Sequence, residues 1–119
     1  MIVEKIHLTN FRNLKDISFE FKENINVFVG KNGIGKTNVL EAIYISLVAS
    51  SFRQVKQEDF INFDESFAKV DTFVNEKGFE NKISFLYTED KKKVFKIDDI
   101  KIKSVNELYD FSNVIGFFP

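Results

Sequence analysis

Apolar and polar residues alternate along two segments near the N-terminus. The first segment is Ile2–Leu8 and the second is Ile17–Phe21. Because side chains two positions apart lie on the same face of a β-strand, this alternation predicts two half-buried antiparallel strands. The residues between them, Thr9–Asp16, are rich in turn formers, so we expect the connection there.

The pattern changes in the next two segments. Ile25–Val29 is almost continuously apolar, which is typical of a strand covered on both faces. From Lys36 to about Ser50 the spacing is helical, and apolar residues occupy more than one stripe, so a mostly buried helix is predicted. These apolar residues are Val39, Leu40, Ala42, Ile43, Leu47 and Val48.

The second half of the chain is predicted to form a meander of antiparallel strands. The strand-like segments are Phe67–Val74, Lys82–Tyr87 and Lys93–Ile97, and the turn-forming stretches between them are Asn75–Gly78 and Glu89–Lys92. Two short helices are also expected. One covers Gln57–Phe63, and the other begins at Ser104, where Glu107 would complete a capping box.

Between the buried strand and the long helix lies the loop Gly30–Thr37, which reads Gly-Lys-Asn-Gly-Ile-Gly-Lys-Thr. It fits the phosphate-binding pattern G-x-x-x-x-G-K-[ST] at every fixed position. A random chain of this length would contain the pattern about once in a few hundred cases, given average residue usage. The context of strand, loop and helix is the one that phosphate binding requires. The alternative is a glycine turn that precedes a helix and carries a solvated lysine.

Each fixed residue of this loop has a physical role in holding a triphosphate. Gly30, Gly33 and Gly35 permit backbone conformations that bring N–H groups close to phosphate oxygens. The N-terminus of the helix adds unpaired donors and the positive end of a dipole. The ammonium group of Lys36 is predicted to reach the β- and γ-phosphates, and the hydroxyl of Thr37 to complete the coordination of Mg2+. ATP and Mg2+ are therefore the expected cofactors.

Composition narrows the other possibilities. The chain has no cysteine, which removes disulfides, thiolate metal sites and cysteine nucleophiles. No stretch approaches the roughly 18 apolar residues of a membrane span, so we expect a cytoplasmic protein with no membrane partner. The net charge is −1, and any DNA binding would therefore depend on a local basic patch.

Six lysines in the second half of the chain could supply such a patch. They are Lys91, Lys92, Lys93, Lys96, Lys101 and Lys103. They could face DNA or form the solvated tip of a hairpin, and the second reading is favoured because charge runs are usually solvated. The lone histidine, His7, is expected to be structural.

Several short segments together resemble the start of the RecF family of recombination and replication-repair proteins. The segments are Asn10-Phe11-Arg12-Asn13, Ile25–Val29, Lys36–Ile43 and Ser51-Phe52-Arg53, and the resemblance spans the whole chain. It implies an α/β fold of mixed α+β character, a P-loop NTPase of the ABC-ATPase head type whose first lobe carries an antiparallel β-meander. It also implies DNA-gap repair, recombination, replication restart, a part in the SOS response, an ATP-dependent homodimer and slow DNA-dependent ATP hydrolysis.

The resemblance also implies roles for individual residues. Arg12 is similar to the arginine that such heads bring towards the nucleotide phosphates, but a solvated turn arginine would carry the same sequence signal. Asn32 matches a loop asparagine that contacts the phosphate or a partner subunit's nucleotide. Asn38 and Glu41 are expected to be structural, capping or lining the first helix. Ser51-Phe52-Arg53 is equally well explained by a buried Phe beside an exposed Arg.

The chain also departs from the family pattern. Lys31 and Ile34 stand at loop positions where many relatives carry other residues. No apolar run ending in Asp-Glu and no Ser-Gly-Gly-type signature occurs, so no catalytic residue is assigned and we predict nucleotide binding without turnover. The last residues, Phe117-Phe118-Pro119, resemble a point where the family continues. We therefore expect residues 1–119 to be the N-terminal part of a single, larger head domain.

Other functions share part of these signals. Another SMC-group ATPase, such as the ATPase portion of an overcoming-lysogeny-type nuclease, would share the loop and the Asn-Phe-Arg turn. A transporter ATPase subunit or a small P-loop kinase would share the loop alone. A kinase, however, would alternate strands and helices after the first helix, where this sequence predicts a meander.

Overall fold

The computed structural model describes residues 2–21, 36–48, 61–62, 65–104 and 106–107. In these ranges the elements are β1 (Ile2–Phe11), β2 (Leu14–Glu20), α1 (Lys36–Val48), β3 (Phe67–Glu76), β4 (Phe79–Thr88), β5 (Lys93–Ile97) and β6 (Ile100–Lys101). The predicted strand Ile25–Val29 and the segment Ser51-Phe52-Arg53 lie outside the described residues.

The strands of the described ranges form one antiparallel sheet in the order β2-β1-β3-β4-β5-β6. From β3 onwards each strand pairs with the next one along the chain, so the predicted meander is confirmed. Helix α1 lies between β2 and β3 in sequence and packs against β1, β3 and β4. The helix therefore covers the middle of one face of the sheet.

Buried and less buried side chains alternate along strand β1 as predicted, but the alternation is interrupted near the C-terminal end of the strand. Ile6 and Leu8 are fully buried on the face that α1 covers. Asn10 has a φ of 54°, in the left-handed region that asparagine tolerates better than most residues. Because this irregular residue shifts the alternation by one position, Phe11 joins the same buried face and is 0% exposed.

The connection between β1 and β2 is shorter than the turn-rich sequence Thr9–Asp16 predicted. Phe11 pairs directly with Leu14, which leaves only Arg12 and Asn13 in the loop. Arg12 has a φ of 50°, as the first residue of a tight two-residue hairpin loop often requires. The turn-forming residues on either side continue the two strands.

The hydrophobic core lies between α1 and the inner face of the sheet. Helix residues Val39, Ala42 and Ile45 cluster there with Ile6, Leu8, Phe11, Ala68, Val70, Phe85 and Tyr87. The helix is less uniformly apolar on its buried side than its sequence suggested. Leu40 is 48% exposed, whereas the neighbouring Glu41 is 0% exposed.

A short polar chain joins α1 to β3 inside the core. The hydroxyl of Thr72 donates to Ser46 Oγ at 2.7 Å, and Ser46 Oγ donates to the carbonyl oxygen of Ile43 at 2.8 Å. Thr72 and Ser46 are both fully buried, so each hydroxyl needs this partner to avoid a desolvation penalty. The chain fixes the helix against the sheet at a defined position.

The remaining strand predictions are largely confirmed. Lys93–Ile97 forms β5 with the predicted bounds. Strands β3 and β4 are both longer than predicted because they continue into the turn at Lys77-Gly78. Asn75 accepts a hydrogen bond from the Gly78 amide at 2.9 Å, which closes this hairpin.

Two short helices were predicted. The structure supports the start of the helix at Ser104, whereas the prediction of a helix at Gln57–Phe63 is wrong for the residues that the structure describes. Glu107 Oε2 accepts from the backbone amide of Ser104 at 3.4 Å, which is the predicted half of a capping box. In Gln57–Phe63, Ile61 forms an isolated β-bridge with Phe11 instead of a helical turn. Most of that segment lies outside the described residues.

Candidate functional site

The glycine loop leads into α1, whose first residue is Lys36, so the predicted start of the helix is confirmed. Its first turn contains no acidic residue that would oppose an anion at this end of the helix. Outside the described part of the chain lie Gly30, Asn32, Gly33 and Gly35 and the side chains of Lys36 and Thr37. Their roles towards phosphate and Mg2+ stay predictions.

The β1–β2 loop docks on the first half of α1 through Arg12. Its guanidinium donates from Nε to Glu41 Oε1 at 2.5 Å and from Nη2 to Glu41 Oε2 at 3.2 Å. The Arg12 side chain is 13% exposed and that of Glu41 is 0% exposed. A bidentate pair of this kind is both strong and geometrically specific. The alternative reading of Arg12 as a solvated turn arginine is therefore wrong.

A second contact lies beside this ion pair. Asn38 donates from Nδ2 to Asn13 Oδ1 at 2.6 Å. Asn38 and Glu41 were predicted to be structural residues of the first helix, and both hold the two-residue hairpin loop against it. Because Lys36 begins the helix and Glu41 is five residues later, the loop sits beside its first two turns.

The loop between β1 and β2 is also held by residues 61–62, which precede β3 in the chain. Asn62 donates from Nδ2 to the carbonyl oxygen of Arg12 at 2.5 Å, and its backbone amide donates to the carbonyl of Asn10 at 2.7 Å. The β-bridge between Phe11 and Ile61 lies next to these bonds. The unusual backbone conformation of Arg12 is thus fixed by contacts on two sides.

The lysines proposed as a basic patch do not form a single uninterrupted positive surface. Lys91 and Lys92 lie at the turn between β4 and β5, whereas Lys96 and Lys101 pair across β5 and β6. The ammonium of Lys92 lies 3.6 Å from Asp90 Oδ2. This arrangement favours the solvated hairpin tip, and a DNA-facing patch stays a proposal.

Carboxylates also accompany the lysines on the neighbouring strands. Lys82 Nζ lies 2.9 Å from Asp99 Oδ1. This hydrogen bond raises the pKa of Lys82 and lowers the pKa of Asp99. At the tip of the β4–β5 hairpin, a hydrogen bond from the hydroxyl of Thr88 lowers the pKa of Asp90. Both carboxylates are therefore charged at neutral pH and offset part of the local positive charge.

His7 makes polar contacts across β1 and β2, in keeping with the structural role predicted for it. Its Nδ1 lies 2.6 Å from Ser18 Oγ and its Nε2 lies 2.8 Å from Asp16 Oδ1. Asp16 is 77% exposed, so this contact lies on the open face of the sheet, away from α1.

Two further features bear on the expected cofactor and location. Among the described residues, no three His, Cys, Asp or Glu side chains come close enough together to hold a metal ion. In the same part of the chain, no helix has the length and apolar character needed to cross a membrane.

Comparison with known proteins gives a consistent picture. A family model described as an AAA ATPase domain matches residues 1–114. The DNA replication and repair protein RecF of Clostridium beijerinckii is 40% identical over 119 residues, which is 100% of this chain and 32% of that protein. RecF of Clostridium botulinum strain Eklund 17B is 38% identical over the same length, 33% of that protein. The chain therefore spans about a third of the length of these relatives.

Solved structures agree with the sequence comparison. A structure described as the recombination mediator protein RecF-ATP in the RecFOR pathway has a TM-score of 0.83 and 38% identity, covering 90% of this chain and 29% of that chain. The SMC head domain of Thermotoga maritima has a TM-score of 0.74 at 19% identity, covering 93% of this chain and 41% of that one. The second likeness concerns the fold alone. The resemblance to RecF and the ATPase-head fold expected from the sequence are both confirmed.

Proposed function

Because the chain belongs to the AAA ATPase domain family, we propose that it binds ATP through the loop Gly30–Thr37 at the start of α1. Three features at the start of α1 support this proposal together. A complete phosphate-binding sequence runs into the N-terminus of a helix that begins at Lys36. The Arg12 guanidinium is docked beside the first two turns of the same helix.

The residues at this place suit a polyphosphate. Backbone amides and a helix dipole attract anions, the Lys36 ammonium would add a full positive charge, and the Arg12 guanidinium, which is paired with Glu41, would add hydrogen-bond donors. Lys36 would hold the β- and γ-phosphates and Thr37 would hold Mg2+, which neutralises phosphate charge when it is bound. Asn32 would add a contact to the nucleotide from the same loop.

At the level of the whole protein, the proposed role is that of a RecF-like DNA repair and recombination protein. Residues 1–119 would be the ATP-binding, N-terminal part of a head that dimerises with ATP, binds DNA and hydrolyses ATP slowly in the cytoplasm. The RecF sequences share more identical residues with the chain than the SMC heads do, which favours RecF over another SMC-group ATPase. The antiparallel meander after α1 speaks against a small kinase.

These 119 residues are expected to bind nucleotide without turning it over. Their sequence contains no apolar run ending in Asp-Glu that could position Mg2+ and water for attack on the γ-phosphate. Binding is therefore the appropriate activity to measure on this chain.

The direct test compares Lys36→Ala with Lys31→Ala by isothermal titration of ATP in the presence of Mg2+. Both variants remove one lysine from the same loop, but only position 36 is fixed in the phosphate-binding pattern. Loss of a charged hydrogen-bond donor to phosphate should weaken binding about 10- to 100-fold for Lys36→Ala. Lys31→Ala should stay within about threefold of wild type. Equal affinities for Lys36→Ala and wild type would remove the phosphate role.

A further inference from the structure

Glu41 is a buried carboxylate in the helix that follows the glycine loop. It stands five residues after the start of α1, which places it about 7.5 Å along the helix axis from Lys36. Its side chain is 0% exposed, although Leu40 beside it is 48% exposed. A buried carboxylate is costly unless it is paired, so its position calls for a specific positive partner.

That partner is Arg12, and the geometry of the pair is informative. The two hydrogen bonds use Nε and Nη2, which lie along one side edge of the planar guanidinium. Two parallel bonds to one carboxylate fix the plane of the group as well as its position. The edge formed by Nη1 and Nη2 is consequently turned away from Glu41.

The backbone of Arg12 is fixed as firmly as its side chain. Its φ of 50° is maintained by the bond from Asn62 to its carbonyl oxygen. Both ends of the arginine are therefore restrained before any ligand arrives. A side chain that is already ordered loses less conformational entropy when it contacts a ligand.

From this geometry we infer that Glu41 is a positioning residue for nucleotide binding. It holds the Arg12 guanidinium beside the first turns of α1 in an orientation that meets the phosphates of the nucleotide proposed to bind there. The inference rests on the proposed ATP-binding function and adds to it a residue that makes no contact with the nucleotide itself. The competing possibility is that Glu41 draws Arg12 away from the phosphates, in which case its removal would tighten binding.

The test is the affinity for Mg-ATP of Glu41→Gln, measured by titration on samples shown by circular dichroism to be folded. Glutamine keeps the shape of the side chain and one acceptor oxygen but cannot form the charged bidentate pair. Loss of one pre-ordered side chain should weaken binding about threefold to tenfold. The matched control is Asn38→Ala, which breaks the neighbouring contact between loop and helix and leaves the ion pair intact. It should change the affinity by less than about twofold.

A second pair of variants separates positioning from a general structural effect. Arg12→Lys keeps a positive charge next to Glu41 but has no planar fork to orient. In that background, Glu41→Gln should cost less than about twofold. An equal cost in both backgrounds, tighter binding by Glu41→Gln, or an equal loss in Asn38→Ala would overturn the positioning role. If wild type itself did not bind Mg-ATP, the proposed function would fail instead.

Discussion

Replacing Arg12 with alanine is expected to lower the free energy of unfolding by about 3–5 kcal/mol, as is usual when one member of a buried ion pair is removed. The reason is that Glu41, at 0% exposure, would keep a carboxylate with its bidentate partner removed. Urea unfolding followed by circular dichroism measures the change. This is the larger of the stability effects we expect from the loop between β1 and β2.

Two comparisons make the Arg12 result interpretable. In the double variant Arg12→Met with Glu41→Gln, no charge remains in the buried site, so at least half of the lost stability should return. Asn13→Ala removes only one exposed hydrogen bond from the same loop and should cost about 1 kcal/mol or less. A loss below about 1 kcal/mol for Arg12→Ala would mean that Glu41 is adequately solvated or paired without it.

Replacing Phe85 with alanine should destabilise the protein by a similar amount, about 3–5 kcal/mol. Phe85 is 1% exposed and packs in the cluster that joins β4 to α1, with its ring centroid 4.9 Å from that of Phe95. The variant removes a large apolar side chain and leaves a cavity that the antiparallel sheet cannot easily close. Thermal or urea unfolding gives the difference directly.

The matched control lies on the same strand. Phe79 is 75% exposed at the start of β4, so Phe79→Ala should change the free energy of unfolding by no more than about 0.5 kcal/mol. Similar losses at the two positions would contradict the arrangement in which α1 covers the middle of one face of the sheet and leaves the start of β4 uncovered. The position of α1 on the sheet is important for function because the N-terminus of this helix is the predicted phosphate-binding end.

Much of the sheet could be predicted from the sequence because its strands are half buried. Alternation predicted strands at the positions of β1 and β2, and strand-like segments separated by turn-forming stretches predicted β3, β4 and β5 as a meander. The turn between β1 and β2 could not be located, because Thr9 and Asp16 are turn formers that here occupy strand positions. The left-handed Asn10 that turns Phe11 inwards also has no unique sequence signal.

The contacts around the candidate site were only partly predictable. The glycine loop and the start of α1 follow from a local motif, whereas the pair between Arg12 and Glu41 joins residues 29 positions apart. The sequence did contain a signal for this pair, because Glu41 is an acidic residue within the apolar pattern of a buried helix and therefore needs a partner. Periodicity alone did not reveal that Leu40 is the exposed residue and Glu41 the buried one. The contacts of Asn62 had no local signal.

The amides of the loop Gly30–Thr37 are proposed to bind phosphates. The most direct measurement is the change in backbone amide chemical shifts when Mg-ATP, tripolyphosphate or adenosine is added to the isotopically labelled chain. We predict that Mg-ATP and tripolyphosphate both shift the amides of Gly33, Gly35, Lys36 and Thr37 most strongly, and that adenosine leaves them unchanged. Shifts concentrated elsewhere in the chain, or reproduced in full by adenosine, would contradict the account.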